Sequence, residues 1–256
     1  MVALLMDTGL ANRVVFVSGA SRGIGREIAI ALGTEGARVV VGWHRGQAEA
    51  ELTVERIVAA GGTAVAVQLD QSDPESLADA VRATEAAFGP VEVLVANAVS
   101  WPNRSVAEPE RLALSMNENV VGTFRLIDLV LPGMRQATWG RVIVISSDIV
   151  AQPTSGDVAY AAAKGALESI AHVLAVREGR NGILTNIVRP GFTLTEKADD
   201  IPRLVEVAAS EAESTPTGRV SVPADVASAV VYLASASNTH VNGQTLSIAG
   251  GRELQR

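Results

Sequence analysis

Seven short runs rich in valine and isoleucine recur along the chain, separated by longer stretches of helical periodicity. They span Arg13–Ser18, Arg38–Gly42, Thr63–Leu69, Val91–Ala96, Arg141–Ser146, Ile183–Val188 and Gln244–Ile248. Most are almost continuously apolar. A strand with one wet face alternates apolar and polar residues, whereas a strand covered on both faces does not. These runs therefore predict parallel strands enclosed between helices. Among the intervening segments, Ile24, Ile28 and Leu32 form an i, i+4, i+8 stripe, and Gly36 is suited to end that helix. Asp73-Pro74-Glu75 reads as a helix cap followed by proline at the first helical position. The repeated β-α order predicts an α/β fold, a doubly wound parallel sheet of about seven strands flanked by helices.

At 256 residues, with no linker, composition break or internal repeat, the chain suits a single domain over residues 1–256. Two segments stand outside the β-α rhythm. Residues 1–10 open with an apolar stretch that stops at Asp7 and has no basic flank, so they predict a short surface arm and not a signal segment or membrane span. Residues 192–223 follow a strand end and carry Glu196, Asp199, Asp200, Glu206, Glu211 and Glu213. Open α/β sheets bind ligands at such ends, so this segment reads either as a substrate lid or as a solvated helical excursion.

Charge and composition exclude several classes of function. A net charge of −7 does not suit a phosphate backbone, so nucleic acid is not an expected partner. With no cysteine there is no disulfide, thiolate nucleophile or cysteine-ligated metal. His44, His172 and His240 are widely separated and show no metal-ligand spacing, so no metal is expected. The expected setting is cytoplasmic, with a small-molecule partner and no membrane.

The first run leads into Gly19-Ala20-Ser21-Arg22-Gly23-Ile24-Gly25. Glycines between a strand and a helix permit a tight bend and close backbone approach, and the helix start presents free N–H groups to a pyrophosphate. At the head of a β-α-β series, this Gly-x-x-x-Gly-x-Gly turn predicts a Rossmann-type dinucleotide cradle. An NAD site usually carries an acid about 20 residues further on, for the ribose hydroxyls. Here the second run ends in Trp43-His44-Arg45-Gly46, and no acid appears before Glu49. Arg22 and Arg45 suit a 2′-phosphate instead, which favours NADP(H). Asp70, closing the third run, reads either as a partner for an adenine amine or as the start of the turn into Asp73-Pro74.

A second group lies further along: Ser147, Tyr160 and Lys164. Reducing a ketone requires a proton for the developing alkoxide. A tyrosine with its ordinary pKa of about 10 needs roughly 4 kcal/mol of phenolate stabilisation to act near pH 7. Lys164 lies one helical turn from Tyr160 on the same face and can supply much of that field, to which an oxidised nicotinamide adds its own charge. Ser147 ends the fifth run at the ligand-binding edge, where its hydroxyl can bond the substrate oxygen. Ala159, Ala161, Ala162, Ala163, Gly165 and Ala166 let the helix pack closely while the two long side chains project.

With these motifs in this order, the chain resembles the short-chain dehydrogenase/reductase family from about Leu10 onward. Ser18 to Gly25 matches its cofactor turn, Leu69-Asp70 its adenine-contacting acid, and Ala96-Asn97-Ala98 its Asn-Asn-Ala-Gly segment. Asn119 to Gly122 matches the helix carrying its catalytic asparagine, and Ser147 with Tyr160-x-x-x-Lys164 its catalytic serine, tyrosine and lysine. Pro190-Gly191-Phe192-Thr193-Leu194-Thr195 matches the segment that holds the nicotinamide, and Gly250-Gly251 the C-terminal end. Ser18, Ala96, Val99 and Ala249 depart from the family's usual threonine, asparagine, glycine and acid. The resemblance implies that Tyr160 is the general acid in reduction, that Lys164 lowers its pKa and binds the nicotinamide ribose, that Ser147 orients the substrate oxygen, and that Asn119 holds a relay water. It implies cofactor contacts from Gly19, Ser21, Arg22, Gly23, Ile24, Gly25, His44, Arg45, Asp70, Gln71, Asn97, Ala98, Tyr160, Lys164, Pro190, Gly191, Thr193 and Thr195. Trp101, Asp148, Gln152, Pro153 and Phe192 are the expected substrate-pocket residues.

Within the family the likeness is to 3-oxoacyl-carrier-protein reductases and related bacterial ketoreductases. Reductases serving acidic carrier proteins tend to carry basic residues before the fifth strand and near the start of the sixth. This chain has only Arg135 and Arg180 there, and its lid segment is acidic. That favours NADPH-dependent reduction of a free or specialised-metabolite ketone over a carrier-bound one. A third reading, a catalytically silent NADP(H)-binding regulator, runs against the intact tetrad. The family also implies a homotetramer. An alanine-rich helix from Val158 to about Val176 and a preceding helix bearing Val120, Val121, Phe124, Ile127 and Val130 carry more apolar surface than the sheet can cover. The Gln244–Ile248 run offers a second contact; the alternative is a dimer that uses only the helix pair.

Overall fold

The computed structural model describes residues 7–103, 105–153, 157–196, 198, 201 and 203–254. All seven expected strands are present: β1 (Val14–Val17), β2 (Arg38–Trp43), β3 (Thr63–Gln68), β4 (Val93–Ala96), β5 (Gly140–Ile145), β6 (Ile183–Pro190) and β7 (Thr245–Ile248). They form one sheet in the order β3-β2-β1-β4-β5-β6-β7, with every neighbouring pair parallel. The order runs outward from β1 on one side and from β4 on the other. Open α/β sheets bind ligands at this reversal, beyond the carboxyl ends of the strands.

Among the described residues the connecting helices are α1 (Gly23–Thr34), α2 (Gln47–Ala59), α3 (Pro74–Phe88), α4 (Glu108–Ser115), α5 (Gly122–Ala137), α6 (Val158–Glu178), α7 (Arg203–Glu213) and α8 (Pro223–Ala234). The strand pleat sorts the core into two layers. Phe16 of β1 packs with Leu77, Leu126, Ile127, Leu131 and Leu167 from α3, α5 and α6. Val15 and Val17 point the other way, to Ile28 and Leu32 of α1, Ile57 of α2, and Val226 and Val230 of α8. Each of these buried leucines and isoleucines contributes about 1.5–3 kcal/mol.

Local signals act where expected. Asp73 caps α3 by accepting the Glu75 N–H at 2.9 Å. Gly36, just beyond α1, takes a left-handed conformation at φ 80°. One feature was not legible. The stretch around Asn119, read as part of a single long helix, is a π-helical segment over Met116–Val121 that joins α4 to α5. Such segments are rare and concentrate at functional sites.

Residues 192–223 contain α7, and Thr193 pairs with Ser221 in an isolated parallel bridge at the segment's base. Lys197, Asp199, Asp200 and Pro202 of this segment lie outside the described residues, as do Met1 to Met6 of the expected arm. The rest of the arm is packed: Leu10 is fully buried and the Thr8 hydroxyl donates to Glu35 at 2.8 Å. No helix among the described residues is long and apolar enough to cross a membrane.

The C-terminal end of α6 is pinned to α5 by Glu178. Its carboxylate accepts two hydrogen bonds from Arg135, at 2.7 and 2.9 Å, one from Arg177 at 2.7 Å and one from Asn181 at 2.9 Å. The Arg135 bonds, helped by Asn181 and Arg177 against the opposing effect of burial, hold the carboxyl down at about 2. A depressed carboxyl stabilises the fold above its unfolded pKa, about 4.3, and loses that contribution as pH falls toward its folded value. Because the arginines are partly exposed, screening reduces the effect to about 1–2 kcal/mol. Glu178→Gln should therefore lower stability by about that amount at pH 7. The gap should close as pH falls from about 4.5 to about 2. Urea unfolding across this range measures it, and a gap that stays constant with pH would show that the ion pair is not its source.

Candidate active site

Two cavities open at the carboxyl edge of the sheet. The larger, of about 980 Å³, is lined by the glycine turn, by His44 and Arg45 after β2, by Asp70 and Gln71 after β3, and by residues 97–103 after β4. The smaller, of about 300 Å³, is lined by Ser146 and Ser147 after β5, Tyr160 and Lys164 of α6, and residues 190–195 after β6. Ile24, Asn97, Val99, Trp101 and Thr195 line both. Every residue expected to contact the cofactor lines one cavity or the other.

The glycine turn is built for close approach. Gly19 and Gly23 have φ of 67° and 59°, a region other residues rarely adopt. A Cβ on Gly25 would collide with Gly19 O and with Asn97 Nδ2. Ser18 keeps the function of a hydroxyl at its position: its Oγ accepts the N–H groups of Asn97 and Ala98 at 3.0 and 3.1 Å. The Asn97 side chain donates to the carbonyls of Ser18 and Gly19, both at 3.0 Å. The turn and the end of β4 are thus one rigid unit.

At the start of α1, the Gly23 N–H donates to a carboxylate oxygen of Glu196 at 2.7 Å, and Arg26 lies 3.3 Å from the same oxygen. Burial pushes the Glu196 carboxyl up, but the Gly23 N–H, its own backbone N–H and the charges of Arg26 and Arg22 outweigh it and hold it below the ordinary range. An anion therefore already rests at this helix start. The site's residues fit the pyrophosphate of a dinucleotide, with a carboxylate standing where a phosphate oxygen would bond.

At the far end of the cleft, the Asp70 carboxylate accepts from the Ser72 N–H at 2.8 Å and hydroxyl at 2.7 Å, and lies 3.2 Å from His44 Nε2. Burial raises its pKa, yet these bonds and the charges of His44 and Arg45 bring it below the usual value. Asp70 thus forms the turn and faces the cleft at once. Arg22 and Arg45 are exposed at the rim, and no described carboxylate lies within ion-pair distance of either.

In the smaller cavity, the Tyr160 ring is stacked under Trp101, with centroids 4.5 Å apart and planes at 24°. Lys164 Nζ lies 5.7 Å from the ring centroid and donates to Ile145 O at 2.7 Å. Burial lowers the Lys164 pKa to about 8, opposed by the charge of Glu168, so the side chain is still cationic near neutrality. The expected lowering of the Tyr160 pKa is not present in this state of the chain. Burial raises it, a Ser147 hydrogen bond opposes this, and the Asp148 charge adds to the rise. The main reason is the burial of the ring, to which the Asp148 charge adds, while Lys164 sits over the ring and bonds a backbone carbonyl.

Asn119 lines neither cavity. It is buried, accepts the Ser100 N–H at 2.6 Å, and donates to Ser100 O at 2.9 Å and Ser115 Oγ at 3.0 Å. It therefore fixes the loop that carries Trp101. Of the five expected pocket residues, Trp101 and Phe192 line the smaller cavity, whereas Asp148, Gln152 and Pro153 line neither. Asp148 turns toward Arg252, Gln152 Nε2 donates to Arg252 O at 2.6 Å, and Pro153 is exposed.

Leu204, not named from the sequence, lines the smaller cavity, as do Val99 and Leu194, which the sequence placed in cofactor segments and not in the pocket. It also missed Glu168, which accepts from Ser146 Oγ at 2.5 Å and from Arg189 at 2.7 and 3.0 Å. The i, i+4 spacing of Lys164 and Glu168 was the available signal.

The fold and site are those of a nicotinamide-dependent oxidoreductase, and the chain belongs to the short-chain dehydrogenase/reductase family. The family model described as Enoyl-(Acyl carrier protein) reductase matches residues 19–253. The chain is 35% identical over 244 residues to the 3-oxoacyl-[acyl-carrier-protein] reductase of Pseudomonas aeruginosa, covering 94% of this chain and 98% of that protein. Among solved structures, it is similar to LugOII, a promiscuous reductase catalysing keto-reduction at C1 in lugdunomycin biosynthesis (TM-score 0.86, 30% identity, 96% and 99% coverage). It is also similar to a gluconate 5-dehydrogenase from Burkholderia cenocepacia in complex with NADP and tartrate (TM-score 0.85, 28% identity, 98% of both chains).

If the glycine turn is the cradle, Gly25→Ala should weaken NADPH binding about 5- to 150-fold, the equivalent of an overpacking cost of about 1–3 kcal/mol. Titration of NADPH fluorescence against a variant with native circular dichroism measures this, and an unchanged Kd would refute the assignment.

Proposed function

We propose that the chain is an NADPH-dependent ketoreductase that converts a free or specialised-metabolite ketone to a secondary alcohol. The observation that carries this reading is the gathering of Ser147, Tyr160 and Lys164 in one small cavity that shares a wall with the dinucleotide cleft. Tyr160, Lys164 and residues 190–195 would hold the nicotinamide, which would supply the hydride. Tyr160 gives its proton to the alkoxide as it forms, and Ser147 donates a hydrogen bond to the same oxygen. The buried cation of Lys164 stabilises the phenolate left behind. Trp101, Phe192, Leu194 and Leu204 exclude water and favour an apolar substrate. LugOII is by its description a keto-reductase, which supports the same class.

The Pseudomonas relative supports a second reading, reduction of a carrier-bound 3-oxoacyl group. The binding of Arg135 by Glu178 weighs against it, because one of the two expected basic contacts is already neutralised. In either reading we infer that the chain is cytoplasmic and homotetrameric and that residues 192–223 act as a substrate lid. Of the residues expected to exceed the sheet's cover, Val120, Ile127 and Val130 are buried in the core, so support for an assembly face rests on the exposed Val121, Leu129, Val158, Val173 and Val176 on the π segment, α5 and α6. NADPH oxidation across a panel of neutral ketones and an acetoacetyl carrier protein distinguishes the substrates. Turnover of the carrier substrate alone would replace the first reading with the second.

Tyr160→Phe should reduce turnover about 10²- to 10⁴-fold while NADPH affinity stays near native, because the phenolic proton is needed only in the chemical step. Lys164→Ala should damage both. A Tyr160→Phe enzyme with more than about a tenth of the native rate would refute the acid assignment.

The exposed guanidiniums of Arg22 and Arg45, the lack of an acid between β2 and Glu49 and the NADP bound to the gluconate dehydrogenase together support NADP(H). kcat/KM should favour NADPH over NADH by at least about tenfold, one charge-assisted bond being worth about 1.5–3 kcal/mol. Arg45→Ala should erode most of that ratio. Equal values for the two cofactors in the native chain would sink the claim.

A further inference from the structure

Immediately after Ser147, Asp148 opens a short 3-10 turn over Asp148–Val150. Its Oδ1 lies 3.4 Å from Ser147 Oγ, which donates to it, and its Oδ2 lies 3.4 Å from Arg252 Nη1. Arg252 comes from the opposite end of the chain, in the turn Arg252–Leu254 beyond β7. Its guanidinium is held from a second side, with Nη2 2.6 Å from Glu211 Oε2 on α7. Its own carbonyl accepts from Gln152. One guanidinium thus serves two largely buried carboxylates, and one of these adjoins the proposed reacting groups.

The chemistry of that carboxylate is adverse. A serine that donates its only hydroxyl hydrogen to a neighbouring carboxylate cannot donate it to a substrate oxygen. A negative charge beside Tyr160 also opposes formation of the phenolate. Resting on the reading of Ser147 and Tyr160 given above, we propose that Arg252 is a positioning residue. By competing for the Asp148 carboxylate, it keeps the Ser147 bond to that group long, at 3.4 Å, so that the hydroxyl can turn to a substrate oxygen, and it offsets the negative charge that Asp148 brings to the Tyr160 phenol. The groups facing Tyr160 are Lys164 on its own helix, Ser147 and Asp148 after β5, and Trp101 after β4. Behind Asp148 stand Arg252 and Glu253 of the C-terminal turn and Glu211 of α7. Arg252 is the cation in this set placed to offset Asp148.

A purely structural role would make the same residue a brace between α7 and the C-terminal turn. Removing Asp148 as well separates the two roles, because a lost brace is not restored by deleting a second carboxylate. The test compares the native chain with R252A, R252Q and R252A/D148N. 1-Tetralone, a neutral bicyclic ketone suited to the apolar cavity, and NADPH serve as substrates. R252A and R252Q should lower kcat about tenfold with a smaller change in KM, less than the loss of a whole oxyanion donor. R252A/D148N should return kcat to within about threefold of native.

A second readout needs no turnover. The chain has two tyrosines, so Tyr232→Phe leaves Tyr160 as the sole one. Its ionisation can then be followed by ¹³Cζ-tyrosine NMR. R252A should raise the titration midpoint by about half a unit or more, and D148N on that background should abolish the rise. R252Q carries the same test should R252A fail to fold. An unmoved midpoint, or variants that D148N does not rescue in either measurement, would reduce Arg252 to a brace and overturn the proposal. Failure of the native chain to reduce 1-tetralone or any panel ketone would count against the functional reading, while the tyrosine titration would still decide the role of Arg252.

Discussion

The arrangement of Ser147, Tyr160 and Lys164 depends on one buried carboxylate. Glu168 lies one turn beyond Lys164 on α6 and takes a two-pronged bond from Arg189 near the end of β6, together with the hydroxyl of Ser146 at the end of β5. Three elements are fixed against each other at that point. Ser146 precedes Ser147, Arg189 precedes the Pro190-Gly191 segment, and α6 carries Tyr160 and Lys164. The carboxylate also supports the charge of Lys164, which burial would otherwise reduce. Breaking such a pair by removing one partner leaves an uncompensated charge, at a cost of about 3–5 kcal/mol. The same interaction therefore sets the geometry and the electrostatics of the site.

The fold was largely legible because burial on both faces leaves a direct mark on composition. Runs such as Val14–Val17 and Gly140–Ile145 are buried throughout. A continuous apolar run admits few alternatives once helices separate each pair. The glycine turn was equally legible, since Gly19, Gly23 and Gly25 are each required by a φ or a contact that a side chain would forbid. What the sequence could not show was where polar side chains spend their bonds. Asn119 fits a catalytic motif by position, yet its amide is committed to Ser100 and Ser115. Asp148 stands beside Ser147 in sequence but pairs with a residue 104 positions away. Such long-range pairings leave no periodic signature.

The difference between the expected and observed setting of Tyr160 has the same origin. Spacing alone puts a lysine one turn from a tyrosine and predicts stabilisation of the phenolate. It does not reveal that Trp101 covers the ring, that Lys164 is drawn to Ile145 O, or that Asp148 approaches the phenol. Helical spacing fixes which residues share a face, whereas the sign of a pKa shift depends on the desolvation and charges that the rest of the fold brings to it.

Two groups in the site are engaged by the protein's own side chains. Glu196 occupies the N–H at the start of α1, and Trp101 lies on the tyrosine ring. The Glu196 bond is charge-assisted, of a kind worth about 1.5–3 kcal/mol. A dinucleotide using the same N–H must exchange that bond for its own, so the net gain at the helix start is smaller than an empty cradle would provide. Binding strength then depends on contacts that no protein group has already filled. Arg22 and Arg45, exposed at the rim and without an ion-pair partner among the described residues, remain open to an anionic part of a bound dinucleotide.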